Sequence, residues 1–334
     1  MKPGWVFWGC LVLCTSCDAG FDRVSEVKTL RVLAVQKDKP YTYPGDTVSL
    51  SMLFHDGAAA FGDGGPRALV PFWYAGCVNP PGDLFYGCFD QLASQNPQNV
   101  SVGVGNRFSL QLPSDIISSR PPPRNPRQPP YGLAYVFFAV CAGNLSVERS
   151  ENPLDIPLRC RDASGKVLGS DDFVAGYSAV YAFDQLENRN PAVTGFEVSG
   201  QQVTPDCIGD ACVDTITPEP DCSNPLLCLP CASSGSCLKI SVRPTIDRAS
   251  IEPDPVASLE SGTLLEEQMW VAYFVDRGSV SSEVRLLNDA TRGYSDKFGV
   301  DFQPPSEVGP ARVWAVVHDN RGGVNWARLT FSVR

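Results

Sequence analysis

Long stretches free of proline are what this sequence most lacks. Its 334 residues hold 29 prolines and 29 glycines, and outside the first residues the longest proline-free run is 256–303. A proline inside a helix removes one hydrogen bond and clashes with the preceding turn, so a helical bundle of this length is excluded. Basic charge is also short. Lys and Arg number 27 against 37 Asp and Glu, a net charge of −10, whereas binding nucleic-acid phosphates needs a concentrated basic surface. Nucleic acid is therefore excluded as a partner. There are two histidines, His55 and His318, each followed by Asp at a predicted strand end, where a histidine reads as plain surface. No Gly-x-Ser-x-Gly elbow occurs; Gly176-Tyr177-Ser178-Ala179-Val180 lacks the second glycine. Gly103-Val104-Gly105 lacks the glycine and helix a nucleotide site requires. Beyond the N-terminal leader no segment reaches the roughly 18 apolar residues of a membrane-spanning helix. With 43% hydrophobic residues the chain has enough apolar material for real cores, and its length fits two domains.

Cysteine is what the sequence has in excess, at 13 residues. Met1 to Ser16 carries Lys2, an apolar run from Trp5 to Leu13, and small residues before Cys17, the layout of a signal peptide. Leu13-Cys14-Thr15-Ser16-Cys17 resembles the lipobox of bacterial lipoproteins, with Cys14 where Leu or Val is usual. The resemblance implies that Cys17 becomes the acylated N-terminus and that the chain meets the bilayer through acyl groups, palmitate among them. Ordinary secretion, with Cys17 a plain thiol, is the alternative. Cleavage and acylation leave Cys77, Cys88, Cys141, Cys160, Cys207, Cys212, Cys222, Cys228, Cys231 and Cys237, an even set that reads as a disulfide framework in an exported chain. In the first half, loop proximity favours Cys77 with Cys88 and Cys141 with Cys160. The six cysteines from 207 to 237 allow 15 pairings and none is selected.

Strand patterns fill the rest. Val48, Leu50, Met52 and Phe54 alternate with polar residues after the turn Tyr43-Pro44-Gly45-Asp46, the period of a half-buried strand. Leu30 to Ala34 and Phe108 to Leu112 read similarly, Pro71 to Ala75 is aromatic and flanked by turn residues, and Tyr177 to Phe183 reads as the last strand of this half. Leu133 to Val140 is apolar on both faces, as in a strand covered by another sheet. A second series runs through Val193 to Val198, Leu238 to Val242, Met269 to Val275, Val313 to Val317 and Trp326 to Val333. The last is reached through Asp319-Asn320-Arg321-Gly322-Gly323, which supplies the positive-φ residues of a hairpin loop. Only Val256 to Asn288 leaves room for a short helix, expected around Leu264 to Gln268. Trp73, Trp270, Trp314 and Trp326 lie inside strand patterns and read as core.

The expected fold class is all-β: two immunoglobulin-like antiparallel β-sandwich domains with long loops and a disulfide-rich insertion. Their expected bounds are 1–16 for the signal peptide, 17–27 for the lipidated anchor and tether, 28–188 for the first sandwich and 189–334 for the second, with the insertion at 205–237. Leu30-Arg31-Val32-Leu33-Ala34-Val35, Tyr43-Pro44-Gly45-Asp46-Thr47-Val48 and Val313-Trp314-Ala315-Val316-Val317-His318-Asp319-Asn320-Arg321-Gly322-Gly323-Val324 look like exported lipoproteins of myxobacterial type with tandem immunoglobulin-like domains. That resemblance implies an envelope location and no known chemistry. The strand Val48 to Phe54 has no cysteine to bridge to Cys141, so the inter-sheet disulfide of antibody domains is absent.

Candidate chemistry is sparse. Cys228-Leu229-Pro230-Cys231 taken alone suggests a zinc or redox pair, but export and the absence of histidine in the segment favour disulfides. Asp206, Asp210, Asp214, Glu219 and Asp221 read as solvated acidic surface rather than a calcium site; Asp56 and Asp63 read as turn residues. Ser118 to Pro130 reads as a polyproline II loop carrying Arg120, Arg124 and Arg127, either a stiff connector or a partner-binding loop. No cofactor, metal or catalytic residue is expected. The reading is a non-enzymatic, lipid-anchored envelope protein, in the outer membrane ahead of the periplasmic face of the inner membrane, serving a protein or glycan partner. An envelope enzyme or polysaccharide-processing accessory is the alternative. Asp18 after Cys17 marks inner-membrane retention in enteric lipoproteins.

Overall fold

The computed structural model describes residues 23–58, 67–89, 100–148, 158–213, 222–231 and 237–334. Cys17, the leader, and Asp63, Asp214, Glu219 and Asp221 lie outside them.

Ten strands build the first half: β1 Leu30–Lys37, β2 Tyr41–Thr42, β3 Thr47–Asp56, β4 Val70–Val78, β5 Ser101–Val104, β6 Arg107–Gln111, β7 Gly132–Cys141, β8 Asn144–Val147, β9 Leu158–Arg161 and β10 Phe173–Ala182. One sheet has the order β1-β3-β6 and the facing sheet the order β2-β10-β7-β4-β5, while β8 and β9 form a separate hairpin. The alternation read in β3 buries Val48, Leu50 and Met52 against Trp73, Ala134, Val136, Phe138 and Val140 of the facing sheet. Strand β5 and the β8–β9 hairpin escape a reading by periodicity, because they are four residues each.

The second half holds β11 Val193–Val198, β12 Gln201–Val203, β13 Cys207–Ile208, β14 Cys228–Leu229, β15 Ile240–Ile246, β16 Met269–Val275, β17 Ser279–Val280, β18 Val284–Asp289, β19 Gly293–Tyr294, β20 Val300–Gln303, β21 Gly309–Asp319 and β22 Val324–Val333. Its sheets run β12-β11-β15-β20-β17 and β13-β22-β21-β16-β18-β19, with β14 also on β22. In both halves the early strands pair with one another. The closing antiparallel pair, β7 with β10 or β21 with β22, lies beside the aromatic strand β4 or β16. That strand order is the immunoglobulin-like sandwich.

Two expectations need correcting. The helix, α1, spans Pro255–Ser261 rather than 264–268, because Asp254 accepts a hydrogen bond from Ala257 N, Pro255 opens the first turn and Gly262 at φ 74° closes it. Leu264 is 95% exposed beyond its end. The proline-rich loop is not one extended run: Ser119 N bonds to Asp115 O and Gln128 N to Asn125 O, so turns break it at both ends.

The two sandwiches meet at an apolar seam. Val27, Leu33, Ala34 and Leu53 pack with Val316, Val324, Trp314 and Trp326 and with Cys207 and Cys212. Backbone bonds between Val27 N and Val275 O and between Val275 N and Ser25 O extend it, both at 2.8 Å. Among the described residues no helix is long and apolar enough to cross a membrane. Trp314 is 1% exposed, and truncating such a ring costs about 3–5 kcal/mol. Trp314→Ala is therefore expected to lower the calorimetric midpoint and to split one unfolding transition into two, one per sandwich.

Candidate functional site

Strand β7 is buried at all ten positions. Its inward residues fill the sandwich core, and its outward residues Leu133, Tyr135 and Phe137 form a second cluster with Cys77 and Cys88. The facing sheet covers the strand's inner side, as expected. On the outer side the cover is a loop. Cys77 at the end of β4 is joined to Cys88, and the segment between them lays Phe85, with Phe89 just beyond it, on the sheet's outer face. Closing so short a loop contributes roughly 3 kcal/mol in the chain-entropy account. Phe85 stacks on Tyr177 of β10 with ring centroids 4.4 Å apart, and Phe89 meets Phe137 at 5.7 Å. Tyr135 meets Tyr177 edge-on at 5.4 Å, and the row continues through Tyr131, Tyr181, Phe183 and Tyr41. Pairs of this kind add about 0.5–1.5 kcal/mol each beyond burial.

The loop's backbone is held in an uncommon conformation. Asn79 and Asp83 sit at φ 47° and 60°, a left-handed region that costs a non-glycine residue roughly 1 kcal/mol. Their side chains offset this. Asn79 donates to Ile116 O at 2.7 Å and accepts from Leu133 N at 3.0 Å. Asp83 pairs with Arg120 at 2.9 Å and accepts the Tyr131 hydroxyl, while Tyr135 donates to its carbonyl oxygen at 2.8 Å. Burial raises the Asp83 carboxyl, but the hydrogen bonds from Arg120 and Tyr131 outweigh it and hold it below the usual carboxylate range. Burial pushes the Tyr135 hydroxyl up to about 12.

Of the three arginines singled out by sequence, the structure brings Arg120 to this face, with its guanidinium 4.2 Å from the Tyr131 ring centre. Arg124 and Arg127 are exposed on the same loop and have no ion-pair partner among the described residues. The most exposed rings of the face are Tyr86 and Tyr177, each 46% exposed.

The remaining cysteines pair in sequence order: Cys141 with Cys160, Cys207 with Cys212, Cys222 with Cys228, and Cys231 with Cys237. Five disulfides belong to a chain that matures in an oxidising compartment outside the cytoplasm. Among the described residues no group of three His, Cys, Asp or Glu could hold a metal ion.

Several charged residues do other work than the sequence suggests. Asp206 pairs with Arg328 and Asp210 with Arg107 of the first sandwich, so neither is merely solvated. Asp56 accepts Ala58 N at 3.2 Å, as a turn residue does, and in addition grips Arg67 at 2.7 Å. Both histidines lie at strand ends, yet neither is plain surface. His55 packs on Trp314 at 4.7 Å with Asp276 3.6 Å away, and His318 stacks on Trp270 at 5.3 Å. Burial pushes each imidazole down to about 4. Trp73, Trp314 and Trp326 are core as expected, whereas Trp270 is half-buried.

Sequence reasoning missed a buried ion cluster at the seam. Lys37 at the end of β1 donates to Ala179 O at 2.9 Å. Burial pushes its amine down to about 8, with Asp319 pulling it back. Arg321 lies 3.4 Å from Glu252 and 3.5 Å from Glu267, and it donates to Pro253 O. Asp319 accepts Arg321 N at 2.7 Å and Gly323 N at 2.8 Å. Burial and then the Asp319 carboxylate push Glu267 up to about 8, and burial raises Asp319 itself. Raised carboxylates in a cleft would suggest acid–base chemistry, but Glu267 is 0% and Asp319 3% exposed, so no substrate reaches them. The signal available in the sequence was the loop 319–323, read for backbone conformation alone. Two depressions of about 330 Å³ on the second sandwich, one polar around Arg243 and Asp301 and one apolar beside Cys228 and Cys231, contain no histidine.

No protein-family model matches the chain, and no curated protein sequence matches it. Solved structures overlay only loosely. The D0-D1 domain of intimin is 11% identical over 91% of this chain and 96% of its own, with a TM-score of 0.18. Dimeric latent PorU from Porphyromonas gingivalis is 9% identical, covering 92% of this chain and 24% of its own, with a TM-score of 0.21. The chicken CNTN1 FN1-FN3 domains are 8% identical over 91% of this chain and 64% of theirs, with a TM-score of 0.20. The immunoglobulin-like assignment accordingly stands on strand order.

The ion cluster gives the seam a pH dependence. Glu267 has a folded pKa raised above its unfolded value, so its contribution is complete below about pH 4.5 and is lost as pH rises towards 8. In urea unfolding, Glu267→Gln is expected to gain stability relative to the parent chain as pH rises from 4.5 to 8, with the two curves parallel below that window.

Proposed function

We propose that this is an exported, lipid-anchored envelope protein without catalytic activity. Its first sandwich holds a partner on the aromatic face of the sheet containing β7 and β10, and its second sandwich braces the first. One observation carries the binding reading. An antiparallel sheet with one solvated face normally presents polar side chains there. Here that face carries rows of tyrosine and phenylalanine, with Tyr86 and Tyr177 nearly half exposed and with Tyr131 and Tyr135 tied to the Asp83–Arg120 pair. Surface aromatic clusters of this kind mark interaction sites. The enzyme alternative is disfavoured by the inaccessibility of the raised carboxylates and by the absence of a histidine from the depressions.

The anchor rests on the leader ahead of Cys17 and on the disulfides, which need an oxidising compartment. The outer membrane is the favoured site, and the partner is a protein or a glycan of the envelope. Growth with a radioactive fatty acid is expected to label the parent chain and leave Cys17→Ser unlabelled and released from membranes; label retained in the variant removes the anchor. A photo-crosslinker placed at Tyr177 should give an envelope adduct, whereas one at Arg285 on the second sandwich should give none. Equal yields at both positions remove the aromatic face as the binding surface.

A further inference from the structure

We infer that the partner of the aromatic face is a polysaccharide bearing uronic acid carboxylates, an inference that rests on the binding reading above. Three features meet there. Tyr86 and Tyr177 offer partly open rings, and a flat aromatic ring suits the apolar C–H face of a pyranose while its hydroxyl serves the sugar's oxygens. Asp83 and Arg120 lie side by side, joined at 2.9 and 3.0 Å. They present an acceptor and a fork of donors at the rim of the ring row, the polar complement that orients a sugar. Arg124 and Arg127 stand exposed on the loop that delivers Arg120, without a carboxylate among the described residues.

Charge decides between a neutral and an acidic glycan. The chain carries ten more acidic than basic residues, and several of its arginines are already engaged. Arg67, Arg107, Arg161, Arg189, Arg243 and Arg312 each pair with a carboxylate. Ser118 to Pro130 nevertheless holds three arginines and no carboxylate, so the loop that brings Arg120 to the aromatic face is a locally basic segment on an acidic chain. Guanidinium binds carboxylate through two parallel hydrogen bonds, so spaced carboxylates along a stacked sugar chain satisfy them. A protein ligand would equally use the rings, but it gives no reason for the pairing of open cations with a sugar-like polar rim.

The test titrates the purified full-length chain with polygalacturonate, with neutral dextran as the control, and reads binding by calorimetry at low and moderate salt. The expected result is binding of polygalacturonate that weakens with salt and no detectable heat with dextran. Arg124→Ala with Arg127→Ala is expected to weaken binding at least tenfold. Tyr177→Ala should weaken it comparably, and the arginine double variant should keep the parent's melting midpoint, so that loss of binding is separated from loss of fold. The inference is overturned by dextran binding as well as polygalacturonate, by no binding of either, or by binding that survives both sets of substitutions. Binding lost with the arginines but unchanged in Tyr177→Ala overturns it too, since that is ion exchange alone. No polysaccharide binding together with a Tyr177-specific crosslink to an envelope protein removes the glycan and leaves the binding face standing.

Discussion

The burial of β7 on both faces is the constraint from which the rest of the first sandwich follows. An antiparallel sandwich needs one apolar face per sheet, yet Leu133, Tyr135 and Phe137 turn a second apolar face outward. That face requires a cover, and a third sheet is not available. The disulfide-closed loop after β4 supplies it, and Asn79 and Asp83 accept left-handed backbone conformations to let the loop fold back. Their side chains in turn fix the segment around Ile116 and the start of the proline-rich loop. The exposed end of this layer is the aromatic face.

The second sandwich has a different role. Its strands β21 and β22 turn Trp314 and Trp326 towards the first sandwich, and the loop between them buries Asp319 and Arg321 against Lys37 and Glu187. Gly323 is needed there, because a Cβ would lie 2.0 Å from the Asp319 carboxylate, and Gly322 takes φ 88°. The same hairpin thus closes the second core and forms half of the joint. Asp210, held by Arg107 and Ser51, fastens the start of the cysteine-rich insertion across the same boundary. Aromatic packing and paired charges together give the first sandwich a fixed support.

Much of the fold was legible in the sequence because its strands obey a period of two. The bounds of β16 coincide with the expected Met269 to Val275, and β3, β6, β11 and β22 are found where alternation puts them. What escaped was set by tertiary contact. Strands such as β2, β13, β14, β17 and β19 are two residues long and exist only as additions to a neighbour. The helix shifted because capping by Asp254 and Gly262 outweighed spacing. The site was half legible: Arg120, Arg124 and Arg127 were singled out by composition, but the setting of Arg120 beside Tyr131, Tyr135 and Tyr177 arises from strands 32 to 50 residues apart in sequence pairing side by side. His55 was misread as plain surface, and the pairing of exposed Asp210 with Arg107 was missed, because sequence does not show which turns face the other sandwich; His318 was misread because it does not show which ring lies on the neighbouring strand.

The claim on which this account depends is that the Cys77–Cys88 loop is a lid on the outer face of β7 rather than part of the inner core. Hydroxyl-radical footprinting of the chain carrying Cys77→Ser and Cys88→Ser measures that separation directly. The account predicts severalfold greater labelling of Phe85, Tyr135 and Phe137, with Trp73 and Trp326 as protected as in the parent. Unchanged labelling at Tyr135 and Phe137, or equal exposure of Trp73, would contradict it.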